Sequence, residues 1–176
     1  MTIQVGDRLP DSTFKQMTKD GPANVSVSEL TAGKTVVIFS VPGAFTPTCH
    51  AKHLPGFVSH ADALKGKGVD TIACTAVNDV FVMDAWSKAS NAGEGITMLA
   101  DGNADFVRAL GLELDATGFG MGVRGKRFAL VAKDGVVTAL RVENGGEFKV
   151  TTAENVLASD RKSTRLNSSH IPLSRM

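Results

Sequence analysis

The feature that most constrains this chain is a buried strand that feeds a proline-rich loop, which in turn delivers a cysteine to the start of a helix. Thr35-Val36-Val37-Ile38-Phe39-Ser40 is a β-branched, almost continuous apolar run. Such a run reads as a strand covered on both faces. Val41-Pro42-Gly43-Ala44-Phe45-Thr46-Pro47-Thr48 follows, rich in turn residues. A helical pattern begins near Thr48 and Cys49 and reaches about Leu64, with Pro55 and Gly56 predicting a kink. Val69 to Ala76 reads as a second strand, and Asp79 to Ala89 as a helix with Phe81, Val82, Ala85 and Trp86 near one face. Thr97 to Ala100 is a short strand, followed by a helix over Asn103 to Leu110. Arg127 to Ala132 and Val136 to Val142 are strands joined through Lys133-Asp134-Gly135, where Asp-Gly is a strong hairpin signal. Thr151-Thr152-Ala153-Glu154 fits a capping box opening a last helix. Strand and helix alternate and then give way to a hairpin. That order predicts an α/β fold, a mixed central sheet with helices on both faces.

The thioredoxin-like fold has this order of elements. One domain accounts for residues 1–159. From Asp160 the composition turns to Arg, Lys, Ser, Thr and Asn without apolar period, and Asp160 to His170 resembles the translation of a common sequencing adapter. Residues 160–176 are therefore read as a non-native, disordered tail and left out of the fold. Arg161, Lys162, Arg165 and Arg175 lie in that tail, so the formal net charge of +1 draws its basicity from there.

Several function classes drop out on composition. A chain so close to neutrality has no field that would gather nucleic acid or a membrane surface. Tyr is absent and Trp occurs once, which argues against an aromatic-rich binding face. No apolar run approaches a membrane span, and the first residues lack a basic-then-apolar leader pattern. With only two cysteines this is no disulfide scaffold, and a reducing, cytoplasmic setting is expected.

The chemistry centres on Cys49. A helix start presents unpaired backbone N–H groups and a partial positive charge, both of which favour thiolate. A free thiol is a few per cent ionised at neutral pH, so full ionisation multiplies the nucleophile only about thirtyfold. That is small beside enzymatic rate enhancements. The site must also orient its substrate and stabilise charge on a departing oxygen. The Thr46 hydroxyl, three positions before Cys49, can hydrogen-bond a bound substrate. Arg127 can hold the thiolate and polarise the O–O bond with its planar fork of donors. Pro42 can wall the pocket.

Blander readings compete at each position. A free cysteine is often only a small hydrophobe. Cys49 escapes that reading by its place after Thr46-Pro47-Thr48, whereas Cys74, in mid-strand, fits it. His53 sits four residues after Cys49 and could form a Cys–His pair, but it reads better as structural or pocket-supporting. Cys49, His50, His53 and His60 match no standard zinc spacing. Gly120 to Gly125 fits a dinucleotide fingerprint but precedes a strand instead of opening a helix. Asp101-Gly102-Asn103-Ala104-Asp105 begins like a calcium loop and then has Phe106 where Gly is needed; a turn capping the next helix is simpler.

Pro42-Gly43-Ala44-Phe45-Thr46-Pro47-Thr48-Cys49, with His53-Leu54-Pro55-Gly56-Phe57, resembles the type-five peroxiredoxins, a group that includes plant type-two and bacterial glutaredoxin-linked forms. The resemblance continues through Val77-Asn78-Asp79, Phe81-Val82, Ala85-Trp86, Leu99-Ala100-Asp101 and Lys126-Arg127-Phe128, and covers roughly residues 3–158. It implies that Pro42, Thr46, Cys49 and Arg127 form the catalytic set, with Arg124 a weaker candidate than Arg127. It implies reduction of hydrogen peroxide or an alkyl hydroperoxide through a Cys49 sulfenic acid, restored by glutathione/glutaredoxin or thioredoxin. No metal, haem, flavin or other cofactor is required. A homodimer with Phe45, Phe81 and Trp86 near its interface is also implied. Two rivals stand beside this reading. One is a thiol–disulfide oxidoreductase on the same fold, disfavoured by Lys52 where a second Cys is needed. The other is a non-catalytic holdase using an apolar patch around Phe45 and Trp86.

Overall fold

The computed structural model describes residues 2–93, 95–144 and 147–158. The expected tail lies outside them. Within the described residues the strands are β1 (Thr13–Thr18), β2 (Gly21–Ser26), β3 (Thr35–Ser40), β4 (Thr71–Ala76), β5 (Thr97–Ala100), β6 (Glu113–Asp115), β7 (Val123–Gly125), β8 (Phe128–Lys133) and β9 (Val136–Val142). The helices are α1 (Val27–Thr31), α2 (Leu54–Gly66), α3 (Val80–Ala89) and α4 (Asp105–Leu110), with a further helical segment over residues 153–158.

Seven strands form one sheet in the order β2-β1-β5-β4-β3-β8-β9, and β6 pairs with β7 apart from it. β3, β4 and β5 run parallel, while β8, β9, β1 and β2 join antiparallel. Alternation along β3 shows why both faces need cover: Val37 and Phe39 pack with α2 and α3, and Val36 and Ile38 pack with α1 and α4. Phe39 stacks flat on Phe57 of α2 at 4.0 Å between ring centres, and Phe14 meets Phe106 of α4 edge-on at 4.8 Å. This is the expected mixed sheet with helices on both faces, in the thioredoxin-like arrangement.

The β8–β9 turn works as its sequence predicts. Asp134 and Gly135 both adopt positive φ, 50° and 81°, which suits the twist of a tight hairpin. Other expectations need correction. The helix after Cys49 is interrupted as expected, but ahead of Pro55 and not at it. Cys49–His53 forms a π-helical turn, closed by Leu54 N–H donating to the Cys49 carbonyl, and Pro55 falls in the first turn of α2. Proline lacks the N–H that a continuous α-helical ladder would use there, so the irregularity is taken up before it. The last helix is capped by Thr152, whose hydroxyl accepts from Asn155 N–H at 3.2 Å, and not by a Thr151/Glu154 box. The helix expected over Asn103 to Leu110 begins at Asp105. Asp101 does cap it, its two carboxylate oxygens accepting from the N–H groups of Phe106 and Val107 at 3.1 Å each.

Candidate active site

Register decides what meets at the end of the sheet. Ser40 ends β3 opposite Thr75 of β4 on one side and Phe128 of β8 on the other. The loop after β3 and the residue before β8 are thereby neighbours. That residue is Arg127, and the loop carries Pro42 to Cys49. Phe128 pairs in turn with Val142 of β9, so Glu143 lies opposite Arg127, its N–H donating to the Arg127 carbonyl at 3.0 Å.

Cys49 is fully buried, and Arg127 is 8% exposed. Arg127 Nη2 donates to Cys49 Sγ at 3.1 Å, and Nη1 donates to His53 Nδ1 at 2.8 Å. The two arms of the fork thus bind sulfur and imidazole together, which a single ammonium cannot reproduce. His53 Nε2 lies 3.0 Å from the Thr151 carbonyl. An arginine only donates and a carbonyl only accepts, so the tautomer is fixed: Nε2 carries the proton and Nδ1 is the acceptor. Burial first, and then the Arg127 charge, lower the His53 pKa to about 3, against the raising effect of the Thr151 carbonyl. A neutral His53 cannot supply positive charge to the sulfur, and its Nδ1 is occupied by Arg127, so a direct Cys–His pair is absent. The reading of His53 as pocket-supporting fits this placement.

The loop is held by short-range bonds. Thr46 Oγ1 donates to the Gly43 carbonyl at 2.7 Å, leaving its lone pairs to accept a hydrogen bond from a ligand. Asn78, after β4, accepts from Ala44 N–H at 2.9 Å. Arg124 of β7 donates through Nε to the Met121 carbonyl at 2.9 Å and through Nη1 to the Pro42 carbonyl at 3.4 Å. It therefore braces the loop, while Arg127 alone of the two reaches the sulfur. The approach is close at Gly43, where a Cβ would stand 3.1 Å from both Arg124 Nη1 and Thr46 Cγ2 and one of them would have to give by a few tenths of an ångström. Phe45, at φ 65°, turns its ring outward over His50.

Cys74 sits in mid-β4 with no exposed surface. Burial pushes its thiol well above the usual range, and the neighbouring charge of Cys49 adds to that rise against the opposing pull of Arg127. It is a poor nucleophile in this fold. Trp86 is also fully buried, its indole N–H donating to His50 Nδ1 at 3.1 Å. That corrects the placing of Trp86 on an apolar patch. Phe45 and Phe81, 47% and 65% exposed, are the surface aromatics there. Sequence reasoning missed Phe148, Thr151 and Glu143. Phe148 packs its ring 5.0 Å from His53 and 5.7 Å from the Arg127 guanidinium.

Comparison with known proteins identifies the family. The Redoxin family profile matches residues 4–157. Peroxiredoxin-2E, chloroplastic, of Arabidopsis thaliana is 50% identical over 160 residues, covering 89% of this chain and 68% of that protein. Peroxiredoxin-2B of the same plant is 49% identical over 156 residues, covering 88% and 96%. The crystal structure of reduced Prx3 from Vibrio vulnificus in complex with hydrogen peroxide superposes with a TM-score of 0.87 at 54% identity, covering 90% of this chain and 99% of that one. The chain belongs to the Redoxin family, among its peroxiredoxins, whose chemistry is thiol-dependent peroxide reduction.

Proposed function

We propose that the protein reduces hydrogen peroxide and alkyl hydroperoxides at Cys49 and is regenerated by an external thiol. The observation that carries this reading is the Arg127 fork, with one arm on Cys49 Sγ and the other on a neutral His53. The Cys49 thiolate attacks the terminal peroxide oxygen. An S–O bond forms and the O–O bond breaks, with its electron pair leaving on the distal oxygen. That oxygen takes up a proton and departs as water or alcohol, leaving Cys49 as sulfenic acid. Arg127 stabilises the thiolate and then the charge developing along the O–O axis. Thr46, already donating to Gly43, accepts a hydrogen bond from the peroxide O–H and sets the angle of attack. Pro42 walls the approach.

A first thiol then displaces water from the sulfenic acid, giving a mixed disulfide. A second thiol releases Cys49 and leaves as the oxidised partner. Glutathione with glutaredoxin, or thioredoxin, is the proposed reductant, and the burial of Cys74 supports a cycle that uses Cys49 alone. A cytoplasmic homodimer, with Phe45 and Phe81 at its contact, completes the reading. The test is peroxide consumption by the wild type and Cys49→Ser, each supplied with glutaredoxin and thioredoxin systems in parallel. Turnover by the wild type and none by the variant supports the reading; equal turnover by both overturns it.

A further inference from the structure

Beyond the groups that touch the sulfur, a second layer reaches it from the far end of the chain. The described segment 147–151 follows β9 and folds back over the Arg127–His53 pair. Its anchor is Glu143, 6% exposed. Glu143 Oε2 accepts from the N–H groups of Lys149, Val150 and Thr151 at 2.7, 2.8 and 2.8 Å, and from the Thr151 hydroxyl at 2.8 Å. One carboxylate oxygen thus gathers three successive backbone donors and a side chain. Burial works against the charged form of Glu143, but these bonds outweigh it and hold its pKa below the usual carboxylate value. The carbonyl of the same Thr151 receives the His53 Nε2 proton. Hydrogen bonds on either side of the Thr151 residue therefore connect Glu143, through its N–H and hydroxyl, with His53, at its carbonyl, and onward through Arg127 to Cys49 Sγ.

We propose that Glu143 is a positioning residue for the Cys49 centre: through the backbone of residues 149–151 it fixes the His53 tautomer that aligns the Arg127 fork. The proposal rests on the peroxidase reading above. The physical reason is the shape of the demand on His53. Its ring must offer a bare Nδ1 to Arg127, so its proton must be held on Nε2 by a fixed acceptor. Thr151 supplies that acceptor, and Glu143 anchors the residue from the other side through its N–H and hydroxyl. With the segment loosened, the ring can flip or carry its proton on Nδ1, where it opposes Arg127 N–H. Arg127 then loses one of its two anchors and its aim at the sulfur.

Glu143→Gln tests this, since the amide keeps the shape but weakens the acceptor and removes the charge. Three quantities are measured on the full chain: the second-order rate of Cys49 with hydrogen peroxide, the rate of alkylation by iodoacetamide at a pH where thiolate is saturated, and the ring ¹⁵N shifts of His53. Alkylation needs the thiolate but not the aligned fork. The expected result is a fall of about tenfold or more in the peroxide rate with alkylation changed less than about threefold, and loss of the single Nε2–H form of His53. A folded variant with an unchanged peroxide rate overturns the proposal, as does an equal fall in both rates. If the Gln variant does not fold, Glu143→Asp carries the same comparison, and the wild-type spectrum decides alongside it. An imidazolium or an Nδ1–H form of His53 at neutral pH overturns the relay. A wild type that alkylates but ignores peroxide refutes the peroxidase reading itself, a different outcome from a wild type that reacts and a variant that matches it.

Discussion

Arg127→Lys removes geometry while retaining charge. Arg127 makes two directed bonds, 3.1 Å to Cys49 Sγ and 2.8 Å to His53 Nδ1. A lysine ammonium is a point charge on a flexible stem and serves at most one of these well. Loss of one hydrogen bond to a charged group is worth about 1.5–3 kcal/mol. If that loss falls on the transition state, the peroxide rate drops about 10- to 150-fold, since each ~1.4 kcal/mol is a factor of ten. If the ammonium stays on sulfur, His53 Nδ1 is left as a buried acceptor without a donor, at a cost of about 1–3 kcal/mol in stability. The assay is stopped-flow fluorescence of the single tryptophan, Trp86, whose indole N–H bonds to His50 next to Cys49. Arg124→Lys is the control, because Arg124 holds the Met121 and Pro42 carbonyls and not the sulfur. A peroxide rate for Arg127→Lys within about threefold of wild type refutes the argument. So does Arg124→Lys proving the more damaging.

Cys49→Ser is expected to abolish peroxide turnover while Cys74→Ser keeps most of it; intact mass after one equivalent of peroxide should show a gain of one oxygen, and a rapid, high-yield Cys49–Cys74 disulfide would contradict this. His53 has a folded pKa near 3 against 6.5 when unfolded, so the unfolded chain binds the extra proton and native stability falls as pH drops below 6.5. The slope approaches ~1.4 kcal/mol per pH unit from this residue; urea unfolding of wild type and His53→Gln between pH 5 and 6.5, above the carboxylate range, should show the slope only in the wild type. Cutting the chain after Ser159 should leave peroxide turnover and Tm nearly unchanged, and a marked loss of either in parallel assays would make residues 160–176 part of the domain.

The parts of the site that sequence revealed are those encoded locally. Pro42, Thr46 and Cys49 lie on one loop, whereas Arg127, distant in sequence, is singled out over Arg124 only by the family resemblance around Lys126-Arg127-Phe128. Glu143 was not legible, because its partners 149–151 lie beyond a glycine pair and its meaning depends on a backbone fold-back. The capping reading of Thr151 failed for the same reason: its hydroxyl has a stronger, non-local acceptor in Glu143. The β1–β2 hairpin was missed on apolar content, since Phe14 is the buried residue of β1. Its signal was there in Asp20-Gly21, the same dipeptide type that correctly located the β8–β9 turn. The sequence puts His53 in the pocket without its partner, as nothing in a four-residue spacing says that the arginine preceding β8 will take its Nδ1.

The complete burial of Cys49 separates the two half-reactions by the opening each requires. A peroxide is little larger than water and can reach the sulfur through a slight loosening of the Pro42–Thr48 loop. If the proposed reductant is a redoxin, its thiol arrives on a folded partner and needs the Cys49–His53 turn to yield. An opening populated one part in a thousand lies about 4 kcal/mol above the closed form and slows an open-state reaction by the same thousandfold. With such a reductant, oxidation and regeneration would draw on different members of one conformational ensemble. Amide exchange at Cys49 and His50 should set a ceiling on the rate of regeneration while leaving the rate of peroxide attack untouched.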